Sequence, residues 1–171
     1  SISDAVAAKR AARGATFQVT ETLPAPRWLP TGPGDDVEVP ANSGAGRRVV
    51  YSKGIMRVWL VEEDGALFHT HRVSGLESQP DFGTYAVFSR SERTCARYNP
   101  SICMRWMVRF TKSRRGDNIG FHEIPRRNGV PMQDISELGL ALSGGCVRQG
   151  TDDALVMWNW AQLGTVVVVV P

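Results

Sequence analysis

The chain ends on an unbroken run of β-branched residues, Thr165 to Val170, and this run limits the folds that are open to it. Thr and Val have restricted χ1 angles and pack well on a pleated surface, so the run predicts a strand. A strand at a surface alternates apolar and polar residues, whereas a continuous apolar strand is buried on both faces. We therefore expect the last strand at the centre of a sheet, with core on either side.

Short β-type runs at close spacing fill most of the chain before this strand. A turn holding Asp64-Gly65 joins the second run to the third and predicts a hairpin. One helical pattern opens at Thr151 with a capping hydroxyl and two acids, and it extends to about Leu163. These features predict a mainly β fold with one helix before the last strand. The other β-type runs are Arg48 to Lys53, Met56 to Glu62, Leu67 to Val73, Thr84 to Ser89, Met104 to Thr111 and Asn118 to His122.

The N-terminal part has a different composition. Residues 3–13 are helix formers between Ser3 and Gly14, which predicts a short surface helix. Five Pro and four Gly then crowd the segment from Thr22 to Arg48, which is typical of an arm or linker. We accordingly divide the chain into 1–47, a helix and a Pro/Gly-rich arm, and 48–171, a single globular domain.

Charge and hydropathy exclude several functional classes. Lys and Arg total 20 against 17 Asp and Glu, and this small surplus does not indicate a nucleic-acid-binding protein. Ten of the basic residues, against three acids, lie between Arg90 and Arg127, so one basic face suited to a carboxylate-rich polymer is expected. The longest apolar stretch is far below the roughly 20 residues of a membrane span. Residues 1–14 lack the apolar core of a secretory signal, so any export signal is expected outside this chain.

The three cysteines divide into a pair and a single residue. Cys95 and Cys103 flank a Tyr-Asn-Pro turn that can bring the two sulfurs together, and a disulfide there would indicate an oxidising compartment. Cys146 is then left over, and an unpaired cysteine in an exported protein is often a reactive thiol.

The surroundings of Cys146 favour chemistry. Gly144 and Gly145 precede it, so the backbone can turn sharply and direct N–H groups at a developing oxyanion. Arg148 and the start of the helix lie close in sequence and would stabilise a thiolate. The alternative is a small buried hydrophobic residue in a tight turn.

His122 is the only histidine outside the Leu67 to Val73 run, and it stands at the predicted end of a strand. It is the natural general base for Cys146, with a hydrogen-bonded structural histidine as the alternative. His69 and His71 alternate on one strand face and would bind a metal only if a third ligand joined them. With no such ligand at suitable spacing, no metal site is predicted and a solvated strand face is the better interpretation.

The ordered motifs resemble the catalytic core of the YkuD-type L,D-transpeptidases. They begin with Arg57-Val-Trp-Leu-Val61, Val73-Ser-Gly75 and Gly83-Thr-Tyr-Ala-Val-Phe-Ser89, and the resemblance covers about Arg48 to Val170. The chain departs from the family in having Gly144 where a second histidine usually stands. The motifs that carry most of the likeness are Ile119-Gly-Phe-His122, Ser143-Gly-Gly-Cys146-Val-Arg148, Asp153-Ala154 and Gly164-Thr-Val-Val-Val168.

The resemblance implies a mixed β-sandwich or barrel and an enzyme that cross-links peptidoglycan outside the bacterial cytoplasm, in the wall or a periplasm-equivalent space. Cys146 would attack a tetrapeptide stem, release D-alanine and hold the donor as a thioester, which an acceptor amine resolves into a 3→3 cross-link. His122 would be the base and acid, oriented by the backbone carbonyl of Glu123, and the N–H groups of Gly145 and Cys146 would bind the oxyanion. No cofactor is implied, and carbapenem-type β-lactams are expected as covalent inhibitors. Predicted substrate contacts are Ser143, Gly144 and Arg148, with bracing of the turn as the alternative role of Arg148.

Two other functions stay open at the level of sequence. An L,D-carboxypeptidase of the same fold would resolve the thioester with water, and an inactive wall-binding domain would retain the fold without the chemistry. We further hypothesise that the hairpin carrying Cys95 and Cys103 is a disulfide-stapled flap beside the site.

Overall fold

The structure, a computed structural model, describes residues 38–171. The predicted helix at residues 3–13 and most of the predicted arm lie outside the described residues. The described part contains eleven strands, a single α-helix and one turn of 3-10 helix, Ile135–Glu137. The predicted mainly β class is thus confirmed.

The first sheet has five strands and contains both ends of the described chain. Their bounds are β1 Arg48–Ser52, β2 Arg57–Val61, β3 Leu67–Arg72, β4 Gly83–Ala86 and β11 Val166–Val170. Across the sheet the order is β3, β2, β1, β11 and β4. Strand β11 runs parallel to β1 and antiparallel to β4, so the last strand occupies an interior position.

The second sheet contains the other six strands. They are β5 Ser89–Ala96, β6 Asn99–Lys112, β7 Asn118–Glu123, β8 Arg126–Arg127, β9 Val130–Pro131 and β10 Val147–Gln149. The order is β10, β7, β6, β8 and β9, with β5 paired to β6. The α-helix, α1 Thr151–Trp160, connects β10 of this sheet to the return of the chain into β11.

The C-terminal strand is buried on both faces, as its composition predicts. Val167 and Val169 belong to the main core between the sheets, with Phe121 and Met157. Val168 and Val170 belong to a second apolar cluster on the opposite face; its other buried members are Val50, Trp59 and Val61. An unbroken β-branched run is therefore satisfied by apolar contacts on either side of the sheet.

The chain crosses between the sheets at Val87 and Phe88. The Val87 N–H donates to Thr165, the residue before β11 of the first sheet, while the Phe88 N–H donates to Arg109 in the second. The predicted strand from Thr84 to Ser89 is therefore wrong as one element, since it comprises β4, a crossing and the start of β5.

The β5–β6 hairpin carries the predicted disulfide. Cys95 and Cys103 lie directly opposite each other and are bonded, with their Cα atoms 3.9 Å apart. Strand β6 pairs with β8 close to the disulfide and with β7 at its other end. The stapled end is thus held by β8, and the base of the hairpin lies beside β7.

The helix begins at Thr151 as predicted, but its N-cap and its last residue differ from the prediction. Gly150, not Thr151, is the N-cap, and the Thr151 hydroxyl donates instead to the Glu123 carboxylate at 3.0 Å. The helix ends at Trp160, three residues before the predicted Leu163, because Ala161 leaves the helical conformation.

Candidate active site

Strands β7 and β10 form the base of the site. They pair in parallel, with Arg148 in register with His122 and Val147 with Phe121. Val147 and Phe121 face the core, so His122 and Arg148 lie on the opposite face of the sheet. Cys146 immediately precedes β10, and its side chain follows the same alternation onto the face of His122.

Cys146 lies beside a position of β7 that has no side chain. Extending the register by one residue places Cys146 opposite Gly120, two residues before His122 on β7. The Gly120 backbone N–H hydrogen-bonds the sulfur, and the Sγ lies 3.5 Å from the carbonyl oxygen of Asn118. His122 is thus the diagonal neighbour of Cys146 on the next strand. The Cα atoms of such neighbours are about 8 Å apart, a distance that Cys and His side chains can bridge.

The imidazole of His122 is fixed by its own strand. Its Nδ1 lies 2.5 Å from the backbone oxygen of Glu123. A carbonyl can only accept a hydrogen bond, so Nδ1 carries the proton and the Nε2 of the neutral ring is a proton acceptor. His122 is also only 3% exposed, which holds the ring in a low-dielectric setting.

Burial keeps both groups neutral. It lowers the pKa of His122 to about 4, an effect that the nearby Arg148 reinforces and the Glu123 backbone opposes. Burial also raises the pKa of the Cys146 thiol, although the Gly120 N–H and the positive charges of Arg109 and Arg148 oppose the rise. At neutral pH the pair is therefore a thiol and an uncharged imidazole, rather than a preformed ion pair.

Hydrogen bonds hold the loop before Cys146 in a single shape. The Ser143 hydroxyl accepts from the N–H of Gly145 at 3.1 Å and donates to the carbonyl of Cys146. The Ser143 N–H donates to Gly75 at 3.1 Å. Gly145 has a φ of 155°, a conformation that favours glycine. A substrate contact by Ser143, or an oxyanion contact by the Gly145 N–H, would have to break or share one of these bonds.

Arginines add positive charge to the same face. Arg148 is half-buried, and its guanidinium donates to the Gln133 side chain at 3.2 Å. Its backbone pairs with Ser74 on the outer edge of β10. Arg109 of β6 is in register with Gly120 and donates to the hydroxyls of Ser89 and Ser91 at 3.3 and 2.8 Å.

The residues predicted from the sequence to form the site include Cys146, His122 and Arg148, and the structure brings these three together on one sheet face. Arg109 and Gly120 lie on the same face and were not predicted as site residues. Both are positioned by strand pairing: Gly120 of β7 lies opposite Cys146, and Arg109 is placed by the register of β6 with β7. A signal was available for Gly120, because glycine within a strand indicates close approach of another chain segment. Glu123 provides its backbone oxygen to His122, while its carboxylate accepts from Arg105 on the other face.

His69 and His71 are buried rather than solvated, so the predicted solvated strand face is wrong. The sequence offers no third ligand close to the two histidines, but the fold brings one from the helix. Asp153 Oδ1 lies 3.0 Å from His69 Nε2. These residues lie apart from Cys146 and His122, on the core side of the sheet.

Among the described residues, no helix is long and apolar enough to cross a membrane. No curated protein matches the chain significantly.

Solved structures with the same fold include several L,D-transpeptidases. The L,D-transpeptidase (Yku) from Stackebrandtia nassauensis is 16% identical with a TM-score of 0.60, covering 79% of this chain and 62% of its own. L,D-transpeptidase LdtMt1, solved with imipenem, is 18% identical with a TM-score of 0.56, over 74% and 60%. L,D-transpeptidase 3 from Mycobacterium tuberculosis, solved with a faropenem-derived adduct, is 19% identical with a TM-score of 0.54, over 75% and 61%.

The chain thus spans about three-fifths of the length of these proteins. At such identities the likeness shows a shared fold. The family model for the L,D-transpeptidase catalytic domain, YkuD, matches residues 15–169 and so begins within the segment predicted to be a separate arm. This match covers most of the sequence, and the chain belongs to the YkuD family of L,D-transpeptidase catalytic domains.

Proposed function

We propose that the protein is a peptidoglycan L,D-transpeptidase that forms 3→3 cross-links through a thioester on Cys146. The observation that carries the proposal is the placement of the Cys146 thiol on the same sheet face as His122, whose Nδ1 is tied to Glu123. Family membership adds the reaction class. The fold alone would not identify the reacting groups, because function depends on the site.

Acylation begins with transfer of the thiol proton to His122 Nε2. In the structure the sulfur lies beside the Asn118 carbonyl, and the transfer requires it to approach the imidazole. The sulfur attacks the carbonyl of the third, L-centre residue of a tetrapeptide stem. His122 then protonates the departing amine, and D-alanine leaves with the donor held as a thioester.

Deacylation reverses the proton path. The side-chain amine of a second stem attacks the thioester, His122 removes its proton, and the Cys146 thiol is regenerated as the cross-link forms. The oxyanion in both steps would be bound by the N–H groups of Cys146 and Gly145, the second released from Ser143 when substrate enters.

Arg148 and Arg109 are suited to a carboxylate of the stem. Both lie on the face of Cys146 and His122, and each has more N–H groups than the hydrogen bonds described above use, because a guanidinium has five. They belong to the longer basic stretch from Arg90 to Arg127, which would attract an anionic wall polymer. This partner implies action outside the cytoplasm, where the bond between Cys95 and Cys103 would persist.

The test is incubation with a purified tetrapeptide stem, with and without an acceptor amine, followed by mass spectrometry. A transpeptidase yields a cross-linked dimer and free D-alanine. Tripeptide alone, even with acceptor present, would show an L,D-carboxypeptidase instead. Unchanged stem, with the Cys146→Ala variant equally inert, would support a wall-binding domain without activity.

A further inference from the structure

Two histidines outside the active site lie side by side in the interior. His69 and His71 of β3 are 1% and 6% exposed, and their rings are 4.9 Å apart. They are in register with Leu60 and Val58 of β2, which belong to the main core. The histidines therefore face inward, at the edge of the first sheet, where α1 begins.

A carboxylate reaches this pair from a distant part of the chain. Asp153, in the first turn of α1, lies 84 residues from His69 in sequence, yet its Oδ1 is 3.0 Å from His69 Nε2. One ligand atom from each of His69, His71 and Asp153 lies within 4.8 Å of the others. Two imidazoles and one carboxylate are a donor set that divalent transition metals accept.

We propose that His69, His71 and Asp153 form a binding site for a divalent transition metal of the zinc class. Around a zinc ion with bonds of about 2.0–2.2 Å, ligand atoms lie about 3–4 Å apart. Here His69 Nε2 and Asp153 Oδ1 are 3.0 Å apart, and the three ligand atoms all lie within 4.8 Å of one another. Small rotations of the two imidazoles would bring the three ligand atoms within bonding distance of one ion. Such an ion would connect the edge of the first sheet to the start of the helix.

Unsatisfied polar atoms independently indicate a missing ligand. Gln149, at the end of β10, has its Oε1 2.7 Å from His71 Nε2. Within residues 38–171, neither His71 Nδ1 nor Gln149 Nε2 has a hydrogen-bond partner, although both atoms are buried. Buried polar atoms nearly always have a partner, so an ion bound at His71 Nδ1, with water completing its shell, would account for the first of them. Gln149 Oε1 would keep its contact with Nε2 on the other side of the ring.

One nearby charge opposes the ion. Arg57 of β2 is 3% exposed and interacts electrostatically with both His71 and Asp153. A cation next to the ion lowers the affinity, so we expect micromolar binding rather than the tight binding of a closed structural zinc site.

The site is separate from the proposed chemistry. Gln149 and Val147 face the core, whereas Cys146 and Arg148 face the other side of the sheet. The expected effect is therefore on stability. Saturation at about a hundredfold excess over Kd would raise the Tm by about 5–10 °C in a domain of this size.

The experiment uses chelator-treated chain, dialysed against micromolar zinc and assayed by elemental analysis and thermal unfolding. A Cys146→Ala variant is included because a thiol beside a histidine also binds zinc. We expect one zinc per chain in both proteins, with the same rise in Tm. Binding that disappears in Cys146→Ala would assign the metal to the nucleophile and overturn the proposal.

Two substitutions in the Cys146→Ala background complete the test. His71→Gln and Asp153→Asn should each abolish zinc binding and the zinc-dependent rise in Tm, whatever they do to the metal-free Tm. Cobalt bound to the unsubstituted chain should give a visible spectrum without a thiolate charge-transfer band. A cluster that is only a His–Asp ion pair would give no zinc uptake, no Tm shift and no cobalt spectrum, which would contradict the proposal.

Discussion

His122 is surrounded so that its imidazole stays uncharged far below neutral pH. Burial lowers its pKa from 6.5 to about 4, and desolvation raises the pKa of the half-buried Cys146 thiol. A general base acts only when unprotonated, so activity should persist as the pH falls through 6.5 and decline near 4. This behaviour distinguishes general-base catalysis from attack by a preformed thiolate–imidazolium pair.

The pH dependence of Cys146 acylation by a carbapenem measures this directly. We expect the second-order rate constant to be half lost at about pH 4, with circular dichroism showing that the fold is retained. His122→Gln should lower the rate about 10²–10⁴-fold and remove this acid limb. An acid limb centred near 6.5 would contradict a buried, neutral His122.

Substitution by alanine is expected to have different effects on stability at two glycines near Cys146. A Cβ at Gly120 would lie 2.5 Å from the Val108 backbone oxygen and 2.9 Å from the Arg109 Cα, and backbone atoms cannot move aside cheaply. A Cβ at Gly144 would meet nothing within 4 Å, and its φ lies outside the left-handed region. Gly120→Ala should therefore destabilise the protein by about 1–3 kcal/mol and slow acylation.

Gly144→Ala is the matched control and should change the free energy of unfolding by less than about 0.5 kcal/mol. Urea unfolding of both variants gives the comparison. Equal stability of the two would show that β6 and β7 do not approach as closely as described.

Residue identity in the site was predictable where a motif holds the residues in one stretch, as for Cys146 and Arg148. It was not predictable where a residue acts through pairing, since Arg109 reaches the site only through a register that is irregular between Arg109 and Thr111. Asp153 illustrates the same limit, because nothing local connects a helix start to a strand 84 residues earlier.

Among the elements, the β5–β6 hairpin connects the disulfide to the site. Its stapled end pairs with β8, and its base places Arg109 against Gly120 of β7. The sequence analysis predicted only Met104 to Thr111 of the fourteen-residue strand β6. Arginines interrupt the apolar pattern of β6, so local β-propensity does not predict its full length. Pairing with β5, β7 and β8 stabilises the rest of the strand.

Removal of the disulfide should destabilise the β5–β6 hairpin. The double variant Cys95→Ala/Cys103→Ala loses a cross-link that closes a short loop, so the free energy of unfolding should fall by about 2 kcal/mol. Cys146→Ala, which leaves the disulfide intact, serves as the control in the same denaturant titration. If the double variant is as stable as the parent, the hairpin is held by β8 and the sheet alone.

At the scale of the whole molecule, one sheet pair presents two kinds of site. The outward face of β7 and β10 holds the neutral Cys–His pair. In the interior, His71 of β3 lies near Gln149 of β10 and Asp153 at the start of α1, the residues of the proposed metal site. The valine run of β11 made the two-sided core predictable from the sequence. The crossing at Val87 and Phe88 was not predictable, because its hydrogen bonds go to two different sheets.

The central claim is that Cys146 is the nucleophile of an L,D-transpeptidase site, and intact-mass spectrometry after exposure to imipenem tests it most directly. We predict one covalent adduct per chain, located on Cys146 by peptide mapping and lost in Cys146→Ala. Folded protein without an adduct, or with the adduct on another residue, would contradict the account.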